Sequence, residues 1–258
     1  MYIPDSYGSS EGITRLKISD DGIHFRDPNL GVVEYQGSTE NNFVFYRTPY
    51  YGNFFIDPNP AGVQSGRFKL TAWVANRGIY MYTSPDGIHW RRNETLMLPL
   101  VSGGEAETFF DNQHGRYLTF LKADASYPGG KGRRAVLFQT DEIYKPWPFK
   151  PLAQPYYEGW PFPAVTSEGP VAFPKTDYGQ VYRTRALKYP WAPDTYLAFV
   201  WRFNQQENRK IELAVSRDGV NWKFYADKGW YVAPFGTYPA TLCPSGMIRR
   251  GDEIRHYA

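Results

Sequence analysis

The chain has 258 residues and a formal charge of +3, from 29 Lys and Arg against 26 Asp and Glu, a size that suits one large domain. A single cysteine, Cys243, excludes a disulfide framework and a Cys-rich zinc site, and the dispersed basic residues exclude a nucleic-acid footprint. No apolar run reaches the roughly 18 residues of a membrane span, and the opening MYIPDSYGSSEG lacks the basic start and apolar stretch of a signal peptide. Aromatic residues make up 18% of the chain, beside 24 Gly and 21 Pro. Aromatics suit pleated surfaces and Gly and Pro punctuate turns, so the composition is all-β. Predicted strands follow in chain order at Thr14–Ile18, Asn42–Tyr46, Phe68–Val74, Gly78–Thr83, Thr108–Asp111, Arg116–Leu121, Ala135–Gln139, Val171–Pro174, Thr195–Trp201, Ile211–Val215, Gly246–Ile248 and Glu253–Tyr257.

One box recurs along the chain. It reads Ser19-Asp20-Asp21-Gly22-Ile23-His24-Phe25, then Ser84-Pro85-Asp86-Gly87-Ile88-His89-Trp90, then Ser216-Arg217-Asp218-Gly219-Val220-Asn221-Trp222. Asp21 to Asp86 is 65 residues and Asp86 to Asp218 is 132, about twice as far. Thr140–Trp147 fills the gap as a copy that has lost its Gly. A strand precedes each copy and Asp-Gly is a hairpin signal. Each box is therefore expected to join the last two strands of a four-stranded repeat, with a structural role rather than a sugar- or metal-binding one. Four strands per repeat at this period match a β-propeller blade. A sandwich or jelly roll would also be all-β, but would not repeat one box. The expected layout is a single domain over 1–258. It has a partial blade at about 1–30, blades at about 40–95, 104–150 and 160–225, and a partial blade at about 238–258.

The run SDDGIHFRDPNLGVVEYQGSTENNFV, with FFIDPNPAGVQSGRFKL, GIYMYTSPDGIHW, GEAETFFDNQHGRYLTFLK, YPWAPDTYLAFVWRFN and IELAVSRDGVNW, resembles uncharacterised bacterial proteins labelled glycosyl hydrolase family 32-like. These are similar to the five-bladed propeller glycosidases of families 32, 43 and 68. The resemblance implies a five-bladed β-propeller of the glycosidase type with its first blade partly missing. It also implies hydrolysis of O-glycosyl bonds in a carbohydrate substrate. Such enzymes place carboxylates near the starts of the innermost strands, facing a central funnel. Inner strands are expected to start near Asp57, Glu107, Glu168 and Ser245, with a gap where the first blade should close.

Phe55-Ile56-Asp57-Pro58 looks like the Arg-Asp-Pro motif of family 32, with Ile56 in place of Arg. The same run is also ordinary turn chemistry. Gly103–Phe110 offers Glu105 and Glu107, which share strand parity; Glu107 is preferred as general acid because it abuts the strand. As an acid it should lie near Asp57 and hold its proton. Glu168 in Ser-Glu-Gly-Pro is a further carboxylate. Trp160, Phe162, Tyr50, Tyr51 and Phe54 are candidates to stack on a sugar ring, and Ser245, Arg183 and Arg202 to touch substrate, although core packing or ion pairing accounts equally for aromatic and Arg residues. No blade-one carboxylate motif stands in 1–18, where only Asp5 and Glu11 are available. That gap keeps a second reading open, a non-catalytic carbohydrate- or protein-binding propeller or an inactive fragment. No cofactor or metal is called for, and no nucleic-acid or membrane partner. The oligomeric state is not set by the sequence. Secretion or periplasmic location would need a leader that this sequence does not carry.

Overall fold

The computed structural model describes residues 1–4, 12–47, 50–74, 77–99, 106–127, 130–148, 150–151, 165–166, 180–203, 209–225 and 246–257. They form antiparallel sheets, and their only helical element is the 3-10 segment Pro60–Ser65. The first sheet pairs β1 (Tyr2–Pro4), β2 (Thr14–Leu16) and β3 (Phe43–Phe45). The second is a four-stranded meander of β4 (Tyr50–Ile56), β5 (Phe68–Val74), β6 (Gly78–Ser84) and β7 (Arg91–Leu98). The third holds β8 (Ala106–Asp111), β9 (Arg116–Tyr127) and β10 (Gly130–Thr140). A short pair, β11 (Lys150–Pro151) and β12 (Val165–Thr166), precedes the fourth sheet. That sheet is a meander of β13 (Gln180–Lys188), β14 (Tyr196–Phe203), β15 (Arg209–Ser216) and β16 (Trp222–Phe224). The hairpin β17 (Gly246–Arg250) and β18 (Glu253–Tyr257) ends it.

The box is a self-contained turn. In the second copy Asp86 Oδ1 accepts the Ile88 and His89 backbone N–H groups, both at 2.8 Å, and Ser84 Oγ accepts from Gly87 N at 2.9 Å. Gly22, Gly87 and Gly219 all take φ between +74° and +80°, a conformation that a Cβ disfavours. The closing Trp90 and Trp222 donate their indole N–H back to Gly87 O and Gly219 O. As expected, these boxes join the third and fourth strands of the second and fourth sheets.

The aromatic excess fills the wedges between sheets. Tyr2 stacks on Phe54 at 4.1 Å between the first and second sheets. Phe55 and Phe110 pack on a buried cluster that includes Met81, Leu121 and Trp147, between the second and third. Phe120 meets Trp222 at 5.8 Å between the third and fourth, and Phe199 meets His256 at 5.6 Å between the fourth and the C-terminal hairpin. The hairpin in turn reaches the first sheet's box. Arg255 Nη1 donates to Asp21 O at 2.7 Å and the Tyr257 hydroxyl to Gly22 O at 2.9 Å. The same docking recurs where Tyr2 OH donates to Gly87 O and Arg116 Nη2 to Asp218 O, each at 2.8 Å. So each sheet touches its neighbours in sequence, and the last touches the first. The gap expected between the ends is bridged by these contacts.

Candidate functional site

β4, β8 and β13, the first strands of the second, third and fourth sheets, lie side by side. Side chains alternate along each strand. On β4 the alternation turns Phe54 to the first sheet, where it joins Tyr2, Phe45 and Trp90, and turns Asn53 and Phe55 to the third. Phe54, expected as a sugar-stacking ring, is therefore a packing residue between two sheets.

Asp57 corrects a second expectation. β4 ends at Ile56, so Asp57 follows an inner strand rather than starting one. Its carboxylate is sealed: Asp57 and Lys69 both have side-chain exposure of 0% and lie 3.0 Å apart. The Tyr117 hydroxyl donates to Asp57 Oδ2 at 2.8 Å and the Asn59 backbone N–H to Oδ1 at 2.9 Å. Lys69 also donates to Gly62 O and Gly66 O, which satisfies its ammonium in the interior. Burial first, and then the bond to Asp57, push the Tyr117 phenol well above its ordinary range. A Cβ on Gly62 would collide with Asp57 Oδ2 and the Tyr117 hydroxyl, so the loop needs glycine there.

The next sheet repeats this hub. Asp111 ends β8, is fully buried, and accepts from the Tyr196 hydroxyl at 2.6 Å and pairs with His114 at 2.7 Å and Lys188 at 3.3 Å. Burial pushes the Asp111 carboxyl up, but the hydrogen bonds from Tyr196, His114 and Lys188 outweigh it and leave it below its ordinary value. In both hubs a Tyr from the start of the next sheet's second strand holds an Asp at the end of a first strand.

Glu107 lies toward the opposite end. It is the second residue of β8 and bridges three sheets. Asn53 Nδ2 donates to its Oε1 at 2.8 Å, and Arg185 Nη1 on β13 donates to its Oε2. The Asn53 amide oxygen accepts the Thr108 backbone N–H at 2.9 Å, while Thr108, Thr71 and Thr119 link hydroxyls at 2.8 Å. Side-chain exposure is 10% for Glu107 and 13% for Arg185, so this carboxylate is covered but not sealed. Asp57 stands four residues beyond Asn53, roughly 13 Å along a strand, so the two carboxylates do not share one mouth.

Asn53, Lys69, Tyr117 and Arg185 were missed by sequence reading. The signal for the first was present: Asn53 to Asp57 and Glu107 to Asp111 are both four residues, and each member is 54 residues from its counterpart. Arg183 sits two residues from Arg185 on β13, half-buried. Arg202 is buried, pairs with Glu212 at 3.6 Å and lies over the Phe224 ring, as structural pairing would have it. Tyr50 and Tyr51 belong to β4. Glu105, Glu168, Trp160, Phe162, Ser245, Asp5 and Glu11 lie outside the described residues. Among the described residues no three His, Cys, Asp or Glu side chains group as a metal site.

No family model and no curated protein matches the chain. Among solved structures it is similar to one described as "Glycoside hydrolase", at 14% identity and a TM-score of 0.42, covering 73% of this chain and 49% of that one. Another, described as a complex of BT0996 and RGII, aligns at 11% identity and a TM-score of 0.45, covering 72% of this chain and 59% of that one. The chain thus spans about half the length of the solved structures it matches. Neither likeness is close enough to carry an activity across.

Proposed function

We propose that the chain is a glycoside hydrolase-like five-bladed β-propeller that acts on a glycan or oligosaccharide at the Glu107 end of its first strands. The observation that carries this reading is Glu107 itself. It is a carboxylate placed where three first strands meet, wired to two of them and not sealed from solvent. The cyclic contacts between the sheets support the ring that such a funnel needs. Glycoside cleavage takes two carboxyl groups. In this proposal the second is Glu105 or Glu168, and Asp57 is structural. Trp160, Tyr51, Arg183 and Ser245 are proposed to line the substrate path.

A second reading is a propeller that binds carbohydrate without cleaving it. It is favoured by one observation: among the described residues, Glu107 is the one expected catalytic carboxylate that is not sealed. Hydrolysis of a panel of dinitrophenyl furanosides and pyranosides by the purified chain tests the enzyme. Turnover lost in Glu107→Gln supports it. Glycan binding without turnover of any panel member transfers the case to the second reading.

A further inference from the structure

A glycosidase needs one carboxyl that gives a proton and one that stays ionised. The two roles call for opposite surroundings. A proton donor keeps its O–H for the leaving oxygen, whereas an ionised carboxylate is held by donors on its oxygens. At Glu107 the direction of each bond is fixed by the partner. The Asn53 amide oxygen is taken by the Thr108 backbone N–H, so the end that meets Glu107 Oε1 is the NH2 group, a donor. Arg185 has donors only, and one of them meets Oε2. Both carboxylate oxygens are acceptors, one of them from a guanidinium. A proton on either would displace a donor.

The neighbouring charges act in the same sense. β13 brings Arg183 beside Arg185, and β9 brings Lys122 two residues beyond Phe120, the register partner of Glu107. From β4 and β5 come Asn53 and Thr71, both neutral; their ionisable members, Asp57 and Lys69, are paired at the far end. Lys188 on β13 is likewise occupied with Asp111. Glu105 precedes β8, outside the described residues.

We infer that Glu107 is the carboxylate that stays ionised and faces the positive charge developing on the sugar ring, with Asn53 and Arg185 as the residues that position it. The family resemblance gives this position the opposite role, that of proton donor. The inference rests on the glycosidase reading for its reaction and on the hydrogen bonds for its charge state. The leaving oxygen then takes its proton from another carboxyl.

Two measurements on the whole chain test it. The first compares Glu107→Gln on dinitrophenyl glycosides, which need no proton, with unactivated oligosaccharides, which do. Loss of about 100-fold or more on both classes is expected, the usual cost of removing a preorganised charge-stabilising group. Activity kept on the dinitrophenyl substrates but lost on the unactivated ones makes Glu107 the acid and overturns the inference, leaving the glycosidase reading intact. The second follows the Glu107 carboxyl-carbon NMR signal, assigned by its loss in Glu107→Gln. It should stand at its ionised position at neutral pH, titrate at higher pH in Arg185→Gln, and return in Arg185→Lys. A protonated signal at neutral pH overturns the inference whatever the activity. A wild-type chain that cleaves nothing, with its Glu107 ionised, overturns the glycosidase reading and the catalytic role together and leaves Glu107 a structural carboxylate.

Discussion

Asp57 and Glu107 occupy opposite ends of neighbouring first strands, and their surroundings differ accordingly. Asp57 is enclosed by a Lys, a Tyr and a backbone N–H, with no exposed side-chain surface. Glu107 is held by an Asn and an Arg and keeps some exposure. The Asp57 arrangement recurs at Asp111; at the other end, the counterpart of Glu107 on β4 is Asn53. A contact repeated from sheet to sheet is what assembling the sheets requires. A change of residue at one level, in one sheet, is what a reaction site requires. The comparison teaches that an aspartate beside a proline, in a strand-end motif, can be an assembly latch even where it resembles a catalytic motif.

The comparison is broken most directly at Asp57. Asp57→Ala leaves the Lys69 ammonium buried without its counter-charge, which costs about 3–5 kcal/mol. Urea unfolding should show that loss as a shifted midpoint with an unchanged slope. A variant as stable as the wild type but devoid of glycan turnover would make Asp57 a reaction group after all.

Acid sharpens the comparison at the second latch. The Asp111 carboxyl lies below its ordinary value in the folded chain, because its hydrogen bonds outweigh burial. A depressed carboxyl contributes stability that is present above its unfolded value, about 3.9, and lost as pH falls through the folded one. Denaturant midpoints measured from neutrality into acid should therefore fall more steeply in the wild type than in Asp111→Asn. Parallel pH curves for the two would show that Asp111 contributes nothing through its charge.

Much of the fold was legible in the sequence because the box carries its own physics. Ser, Asp and Gly at fixed offsets close a turn by local hydrogen bonds, so the hairpin follows from the residues alone. Glu107 at the start of β8 was legible for the same reason, as a polar residue abutting an apolar run. The Asp57 environment was not. Its partners Lys69 and Tyr117 stand 12 and 60 residues away, in different sheets, and no local pattern announces them. Arg185 is 78 residues from Glu107 and looked like one of many basic strand residues. Phe54 shows the limit of composition: an aromatic between two sheets and one lining a funnel read alike until strand parity is known.

The smallest effect is expected where the hairpin meets the first box. The Tyr257 hydroxyl donates to Gly22 O at 2.9 Å, and its ring meets Phe25 at 6.0 Å edge-on. Tyr257→Phe keeps the ring contact and removes only the hydroxyl. Gly22 O is part-buried, and Arg255 and Arg250 still hold the adjacent Asp21 O at 2.7 and 2.6 Å. The loss is then one net hydrogen bond, about 0.5–1.5 kcal/mol, well below the charge left unpaired by Asp57→Ala. Thermal unfolding of the two variants side by side measures the ratio. A Tyr257→Phe penalty equal to that of Asp57→Ala would mean that the contact between the chain's two ends, rather than the buried latches, limits the stability of the whole set of sheets.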